Sequence, residues 1–231
     1  GLAIREYGEY SELELDIILN FINEGDTVFD VGANIGCFTV PMAKKAGLKG
    51  RVYSFEPQPF INKLLQENIH SNNIHNVKIM KQGLGFKKEI YELEDIDYSL
   101  TGNFGGVGLT TDNSSFTKIK SKRKYKIKVI KLDKFLYLRK CNFLKLDAEN
   151  MDLDVLKGGQ NFLKKFRPTL WVENQKKYPN QINKFLLEND YKPFWVTTMF
   201  YNPDNFFVND NNYYKNIATF NTLAIPKEKS F

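Results

Sequence analysis

The sequence contains little cysteine and no long apolar run, and both absences narrow the class of protein. Only Cys37 and Cys141 occur among the 231 residues, which is too few for a disulfide scaffold and is typical of a reducing compartment. No apolar stretch approaches the roughly 18 residues that a membrane-spanning helix needs, and the first residues, GLAIREYGEY, contain no apolar signal core. We therefore expect a cytoplasmic protein without a membrane span.

The basic charge of the chain is concentrated in one segment. Residues 118–128, KIKSKRKYKIK, contain six Lys, one Arg and no acid. Without these seven side chains the 33 basic residues fall to 26, against 27 acidic ones, so the rest of the chain is nearly neutral. The alternation of Lys with apolar residues predicts a strand with one wet face, interpreted as a solvated sheet edge. Contact with an anionic acceptor or with RNA are the alternatives, but no nucleic-acid partner is expected.

Short apolar strands alternate with amphipathic helices, which predicts an α/β fold. The predicted strands are 27–32, 51–56, 77–82, 142–147 and 169–174, and the predicted helices are 11–23, 35–46, 59–72, 151–166 and 179–189. Such connections are right-handed and give a mostly parallel sheet with helices on both faces. We expect a single domain over 1–231, with an insertion at about 83–128 and an aromatic-rich C-terminal segment at about 191–226.

The first two predicted strands end in residues suited to a nucleotide site, because ligands of such sheets bind beyond the carboxyl ends of the strands. The first strand leads into the sequence DVGANIG, which begins at Asp30. It is not the dinucleotide fingerprint, which read from Gly32 needs a glycine in place of Asn34 and another three residues later. Asp30 would repel a pyrophosphate, and Glu56 closes the second strand, where a carboxylate accepts ribose hydroxyls. Together they predict an adenosyl group without phosphates, as in S-adenosylmethionine.

The fourth and fifth predicted strands end in acids that are candidates for a catalytic base. Strand alternation places Lys145 and Asp147 on one face, with Glu149 just beyond and Glu173 closing the next strand. Two roles are open for Asp147, which either orients the ammonium group of the ligand or accepts a proton from the acceptor hydroxyl. Capping of the next helix, or pairing with Lys145, are the structural alternatives for Glu149 and Glu173.

Histidine, the usual proton acceptor, is as scarce as cysteine. The two histidines, His70 and His75, flank the loop that enters the third predicted strand, at the opposite end of the sheet. The base is therefore expected among the carboxylates. No spacing of acids or histidines demands a metal ion, and none is expected.

Several motifs occur in the order found in the FkbM family of S-adenosylmethionine-dependent methyltransferases, which the chain resembles over roughly residues 7–226. They are VFDVGANIGCFTV, VYSFEPQP, KLDKFL, FLKLDAENMDLDVLKGG and LWVEN. The resemblance implies a class I Rossmann-like methyltransferase fold with a mostly parallel seven-stranded sheet. It also implies that Glu56 holds the ribose hydroxyls and that Gln82 lies beside the adenine. The cofactor-binding residues that it implies are Asp30, Gly32, Ala33, Asn34, Gly36, Glu56, Gln82 and Asp147.

The same resemblance implies methyl transfer to a hydroxyl of a sugar, a glycan or a glycosylated small molecule, with Lys145, Asp147, Glu149 and Glu173 as the catalytic residues. The alternatives are an RNA or protein methyltransferase with the same cofactor, and a catalytically silent binding module of glycan assembly. The silent module is suggested by Asn150, which replaces the glycine of the family pattern K-x-D-x-E-G. Aromatic and Asn residues at 194–214 are interpreted as a sugar-binding wall or as packing for the last strands. The NFGG segment at 103–106 is a second candidate wall.

Overall fold

The computed structural model describes residues 1–96, 120–174 and 179–229, which form ten strands and seven α-helices. The strands are β1 (Thr27–Val31), β2 (Arg51–Phe55), β3 (Val77–Met80), β4 (Gly83–Leu84), β5 (Glu89–Ile96), β6 (Lys120–Ile130), β7 (Phe143–Leu146), β8 (Thr169–Glu173), β9 (Tyr191–Met199) and β10 (Ala218–Pro226). The helices are α1 (Leu2–Tyr7), α2 (Glu12–Leu19), α3 (Thr39–Ala46), α4 (Pro59–Ser71), α5 (Asp152–Gly158), α6 (Gln160–Phe166) and α7 (Pro179–Glu188), and a short 3-10 helix spans Leu132–Phe135.

Seven of the strands form the main sheet, in the order β3-β2-β1-β7-β8-β10-β9. The first five strands of this order are parallel, and β10 runs antiparallel to both of its neighbours. The predicted α/β fold with a mostly parallel, seven-stranded sheet is therefore confirmed. The carboxyl ends of the five parallel strands lie at one edge of the sheet, where ligands of such folds bind.

Helices cover both faces of the main sheet, because neighbouring residues of a strand point to opposite sides. In β1, Val28 packs with residues of α2 and α3, whereas Phe29 packs with residues of α5, α6 and α7. Phe29 contacts the rings of Phe55, Phe135 and Phe162 at centroid distances of 5.6, 5.4 and 5.2 Å. Each fully buried ring contributes about 2–3 kcal/mol, so this core fixes the sheet that carries the site.

Three helices differ from their predicted bounds by more than one residue. The helix predicted at 35–46 begins only at Thr39, because Asn34 and Gly36 have φ angles of 49° and 98°, outside the helical region. The helix predicted at 11–23 ends at Leu19. The helix predicted at 151–166 is divided into α5 and α6, which meet at Gly159. The start of α3 is thus set by backbone angles that the apolar periodicity does not report.

The predicted insertion at 83–128 contributes a second sheet, in the order β4-β6-β5. The basic run lies in β6, which pairs with β5 between Lys120 and Val129 and with β4 only at Val129 and Ile130, beyond the run. Among the described residues the run is therefore paired on one side only, which agrees with its interpretation as a solvated sheet edge. The wet face is confirmed: Lys124, Lys126 and Lys128 are exposed, whereas Ile127 and Val129 pack against Met151. The small sheet therefore covers the turn that follows β7. The NFGG segment at 103–106 lies outside the described residues.

Candidate functional site

The parallel strands bring the predicted site residues to one edge of the main sheet. The N–H of Asp147 donates to the carbonyl oxygen of Val31 at 3.0 Å, so Asp147 lies beside the end of β1. Leu146 pairs with Val172, which places Glu173, the next residue of β8, beside Asp147. The candidates that lie at or just beyond these strand ends are Asp30, Gly32, Ala33, Asn34, Gly36, Glu56, Gln82, Lys145, Asp147, Glu149 and Glu173.

The loop of residues 32–38, between β1 and α3, has a fixed and non-helical backbone. Gly32 has a φ of 80°, and a Cβ at this position would overlap the carbonyl oxygen of Asp147. The N–H groups of Gly32 and Ala33 both donate to the carbonyl oxygen of Phe55 at 3.0 Å. Only glycine therefore satisfies both the backbone angle and the close approach of the chain that follows β7.

Glu56 links this loop to the end of β2. Its two carboxylate oxygens accept the N–H groups of Asn34 at 3.0 Å and Gln58 at 2.9 Å. Burial raises the pKa of Glu56 to about 7, although the two hydrogen bonds act in the opposite direction. A carboxylate offers about four lone-pair sites, so Glu56 keeps capacity for the two ribose hydroxyls.

Gln82 lies in the short segment that joins β3 to β4, two residues beyond the end of β3 at Met80. Its side-chain oxygen Oε1 is buried and has no hydrogen-bond partner within the described parts of the chain. Leaving a buried acceptor unsatisfied costs about 1–3 kcal/mol. The amino group of an adenine is a donor that would satisfy this oxygen, so the residue type fits the predicted role.

Lys145 is a fully buried cation between two acids. Its Nζ donates to Oδ2 of Asp147 at 3.2 Å and lies 3.9 Å from Oδ1 of Asp30. It also lies 4.8 Å from the ring centroid of Phe38. Burial lowers the pKa of Lys145, but Asp147, Asp30 and Glu14 together hold it well above its ordinary value. The ammonium group therefore remains charged.

Asp30 is the second buried charge of this network. Its Oδ2 accepts the hydroxyl of Thr39 at 2.5 Å. Burial raises the pKa of Asp30, while Lys145 and the Thr39 hydrogen bond act against that rise. Both contacts of the carboxylate, with Thr39 and Lys145, lie in the interior of the protein. Asp30 therefore stabilises the site from the core.

Four carboxyl groups converge on the acceptor side of the edge, namely Asp147, Glu149, Asp152 and Glu173. Burial, followed by the charges of the other three, raises the pKa of Glu173 to about 9, and a hydrogen bond with Asp147 contributes. Burial, followed by Asp147 and Asp152, raises the pKa of Glu149 to about 7. Glu173 therefore keeps its proton at neutral pH, whereas Glu149 loses its proton more readily than Glu173.

The turn after Asp147 holds Glu149 in place. Glu149 and Asn150 have left-handed φ angles of 46° and 73°, a region that Asn enters more readily than most residues. The N–H of Met151 donates to the carbonyl oxygen of Ala148 at 3.2 Å and closes the turn. The replacement of the family glycine by Asn150 therefore leaves the turn in place.

The two histidines lie away from this site. His70 and His75 are exposed and precede β3, at the amino end of the parallel strands. Their predicted exclusion from catalysis agrees with this position. Within residues 1–96, 120–174 and 179–229, no group of three or more His, Cys, Asp or Glu side chains is arranged to hold a metal ion.

Much of the aromatic-rich segment packs on the N-terminal helix. The Tyr7 hydroxyl donates to the carbonyl oxygen of Asn211 and accepts the N–H of Tyr213, both at 2.9 Å, and its ring lies 5.4 Å from that of Tyr201. The side-chain amide of Asn209 donates to the carbonyl oxygen of Glu6 at 3.0 Å. These contacts pack part of the segment on α1 rather than on the main sheet, and Phe206 and Phe207 remain exposed.

Tyr10 and Asn174, like Asp152 and Phe38 above, were absent from the sequence-based candidates. Tyr10 lies between α1 and α2 and packs on Phe38 and Phe200. Asn174 follows Glu173; its Oδ1 accepts the hydroxyl of Thr222 at 2.7 Å, and its Nδ2 is buried without a partner in the described ranges. Tyr10 belongs to no local pattern, so no sequence signal identified it. Asn174 ends the LWVEN motif, and its place after a strand end was the available signal.

Comparison with known proteins agrees with this geometry. Residues 30–193 match the family described as the methyltransferase FkbM domain, which is more than half of the chain. The chain belongs to the FkbM methyltransferase family. It therefore carries an S-adenosylmethionine-dependent methyltransferase domain, and the predicted family, fold class and cofactor are confirmed. The unsatisfied oxygen of Gln82 and the remaining acceptor capacity of Glu56 fit this cofactor.

Individual relatives resemble parts of the FkbM domain. A solved structure of methyltransferase FkbM from Methylobacillus flagellatus KT has a TM-score of 0.54 at 16% identity, covering 88% of this chain and 44% of that chain. Methyltransferase 1 of Beauveria bassiana is 28% identical over 150 residues, 57% of this chain and 57% of the relative. A probable ribosomal RNA small subunit methyltransferase A of Methanosphaera stadtmanae is 37% identical over 70 residues, 29% of this chain and 25% of the relative. The matched regions thus span only part of each relative.

The length and composition of the helices also decide whether any of them is able to span a membrane. No helix in the described ranges is both long enough and apolar enough to cross a membrane.

Proposed function

We propose that this protein methylates a hydroxyl of a sugar, a glycan or a glycosylated small molecule. The observation that carries the proposal is the position of Glu149, in the left-handed turn that directly follows β7 and beside Asp147 and Asp152 at the carboxyl edge of the sheet. Burial raises the pKa of its carboxyl to about 7, which suits it to remove a hydroxyl proton near neutral pH. A hydroxyl oxygen must lose its proton as it accepts a methyl group. A group that is neither fully protonated nor strongly acidic serves that step best.

In the proposed reaction the residues of the chain divide by position. S-adenosylmethionine, when bound, supplies a methyl group on a positively charged sulfur. Glu56 and Gln82 bind the ribose and the adenine. Asp147 accepts hydrogen bonds from Lys145 and from protonated Glu173, so its lone pairs are partly occupied and it orients the ammonium group rather than taking a proton. Glu149 then accepts the proton of the acceptor hydroxyl.

Replacing Glu149 with glutamine should lower turnover by at least about 100-fold, because a positioned base typically contributes 10²–10⁴ to the rate. The affinity for S-adenosylmethionine should stay within about twofold, since the amide keeps the size of the side chain. In the wild type, kcat/KM should fall as the pH drops below about 7, because Glu149 becomes protonated. The measurements are initial rates across neutral pH and calorimetric binding of the cofactor.

The matched control is Glu173→Gln. Its amide is still able to donate to Asp147, so the fall of kcat/KM below neutral pH should persist. If Glu149→Gln keeps that fall while Glu173→Gln loses it, the base is Glu173 and our assignment is wrong.

The carboxyl edge also offers groups that suit a sugar. The N–H of Asn174 donates to the carbonyl oxygen of Phe220 at 2.8 Å, which places the two residues together at the ends of β8 and β10. Phe220 is exposed, and the Nδ2 of Asn174 is a donor without a partner in the described chain. An aromatic face beside an amide donor matches the C–H patches and hydroxyls of a sugar ring.

The charge of the small sheet supports this acceptor over RNA. Nζ of Lys124 lies 3.2 Å from a carboxylate oxygen of Glu92, and the register places Glu92 opposite Lys126 and Glu94 opposite Lys124. Acids therefore alternate with the described lysines. A surface that tracks a phosphate backbone is continuously basic instead.

RNA methylation is the second candidate, favoured by the similarity of 70 residues to a probable ribosomal RNA methyltransferase. We also propose a cytoplasmic location, which the free thiols of Cys37 and Cys141 support.

The test has two stages. In a thermal-shift series, S-adenosylmethionine at about 100 times its dissociation constant should add roughly 2.7 kcal/mol of stability. Stabilisation by NAD alone would overturn the cofactor assignment. Transfer of a labelled methyl group is then measured with nucleotide-linked sugars, glycosylated small molecules, ribosomal RNA and protein, and the product linkage is identified by mass spectrometry. A methyl ether on a sugar is expected, and methylation confined to RNA would overturn the proposal.

A further inference from the structure

Tyr10 stands at the junction of the N-terminal segment and the cofactor edge. Its ring lies 6.2 Å from Phe38 and 5.3 Å from Phe200, edge to face in both cases. The Nζ of Lys145 lies 4.8 Å from the centroid of the Phe38 ring and donates a hydrogen bond to Asp147. The ring of Phe38 therefore lies between Tyr10 and the residues that flank the reactive end of the site, Lys145 and Asp147.

The surroundings of Tyr10 favour a positively charged ligand group. Asp147, Cys37 and Glu14 are the acidic groups whose charges act on the Tyr10 hydroxyl, and the charge of Lys145 acts in the opposite direction. Burial, followed by the charge of Asp147, raises the pKa of the hydroxyl, so the ring stays neutral at physiological pH. An electron-rich ring in an acidic environment attracts a cation within about 6 Å of its centre. The contact between Lys145 and Phe38 is an example of this interaction in the same aromatic group.

Tyr10 is held in position but keeps accessible surface. The N-terminal segment is fastened on one side by Tyr7, which is buried among Tyr201, Tyr213 and Tyr214. On the other side the Ser11 hydroxyl donates to Glu14 at 3.0 Å. Between these two anchors Tyr10 remains 38% exposed. A ring that is fixed at both ends and still accessible is preorganised for contact with a ligand.

We propose that the ring of Tyr10 contacts the sulfonium end of bound S-adenosylmethionine and distinguishes this cation from the neutral thioether of the demethylated product. This inference rests on the cofactor position given under the proposed function. It assigns the N-terminal segment, which lies outside the matched residues 30–193, to the cofactor site. The consequence is that the product is held less tightly than the substrate cofactor and leaves more readily after methyl transfer.

The test compares calorimetric dissociation constants for S-adenosylmethionine and S-adenosylhomocysteine. In Tyr10→Leu the preference for the charged ligand should fall by about 5-fold, within the range expected of a cation–π contact, and the affinity for S-adenosylhomocysteine should change less. Tyr10→Phe keeps the ring and should keep the preference within about twofold. Tyr214→Leu is the matched control, because Tyr214 packs on Phe200 and Tyr7, and it should leave the preference unchanged.

An equal change in both dissociation constants in Tyr10→Leu would overturn the inference, and so would an unchanged preference. Loss of the preference in Tyr10→Phe would assign the effect to the hydroxyl and would overturn the role of the ring, even if Tyr10→Leu does not fold. If the wild type binds neither ligand, the proposed function itself fails, which is a different result from a change confined to the Tyr10 variants.

Discussion

Replacing Gly32 with alanine should lower the free energy of unfolding by more than about 3 kcal/mol and weaken cofactor binding at least tenfold. Two costs add at this position. A non-glycine residue at a φ of 80° costs about 1–2 kcal/mol. The new Cβ also overlaps the carbonyl oxygen of Asp147, so the loop and the end of β7 must separate. Urea denaturation and calorimetric titration with S-adenosylmethionine measure the two effects.

Gly25→Ala is the matched control for this experiment. Gly25 has a φ of 86°, close to that of Gly32, but the nearest atom to its added Cβ is the Cβ of Lys49 at 4.0 Å. The control should therefore show the backbone cost alone, about 1–2 kcal/mol, and leave cofactor affinity unchanged. Equal losses of stability and affinity in both variants would show that the approach of Asp147 to Gly32 has no special importance.

Replacing Lys145 with methionine should cost about 3–5 kcal/mol, because it leaves Asp30 as a buried charge without a cationic partner. The loss should be larger at alkaline than at acidic pH. Asp30 has a raised pKa in the folded protein, and a carboxyl of that kind contributes stability at low pH that is lost as the pH rises through its folded pKa. Removing Lys145 raises that pKa further. Denaturation at several pH values measures the dependence.

The double variant Lys145→Met with Asp30→Asn isolates the buried pair. An Asn side chain still offers an oxygen to the Thr39 hydroxyl but carries no charge, so the double variant should recover most of the stability. If the two losses simply add, Asp30 is not the group that Lys145 compensates, and Asp147 or Glu14 takes that place.

The positions of the cofactor candidates were predictable from the sequence because they depend on local order. A strand with Asp30 near its end and a turn with Gly32 and Gly36 can be identified from the sequence. Once the sheet is parallel, Glu56 and Asp147 must lie at the same edge. The motifs also predicted the family correctly.

The roles within the acid cluster were not predictable in the same way. Glu149 and Glu173 look alike in the sequence, as acids at the ends of neighbouring strands. In the structure the pKa of Glu149 is raised to about 7 and that of Glu173 to about 9. Burial is the largest cause of both shifts, and the charges of Asp147, Glu149 and Asp152, with a hydrogen bond to Asp147, raise the pKa of Glu173 further. Such differences arise from the number and distance of neighbouring charges, which sequence spacing does not give.

The sequence by itself determined the family, the parallel sheet and the residues at its carboxyl edge. Only the tertiary structure decided that β6 lies in the middle of the small sheet, that Asp30 and Lys145 share a buried site, and that Tyr10 packs on Phe38. The physical reason is the range of the interactions. Strand patterns and turns are set by neighbouring residues, whereas burial, charge compensation and ring packing join residues that are more than a hundred positions apart.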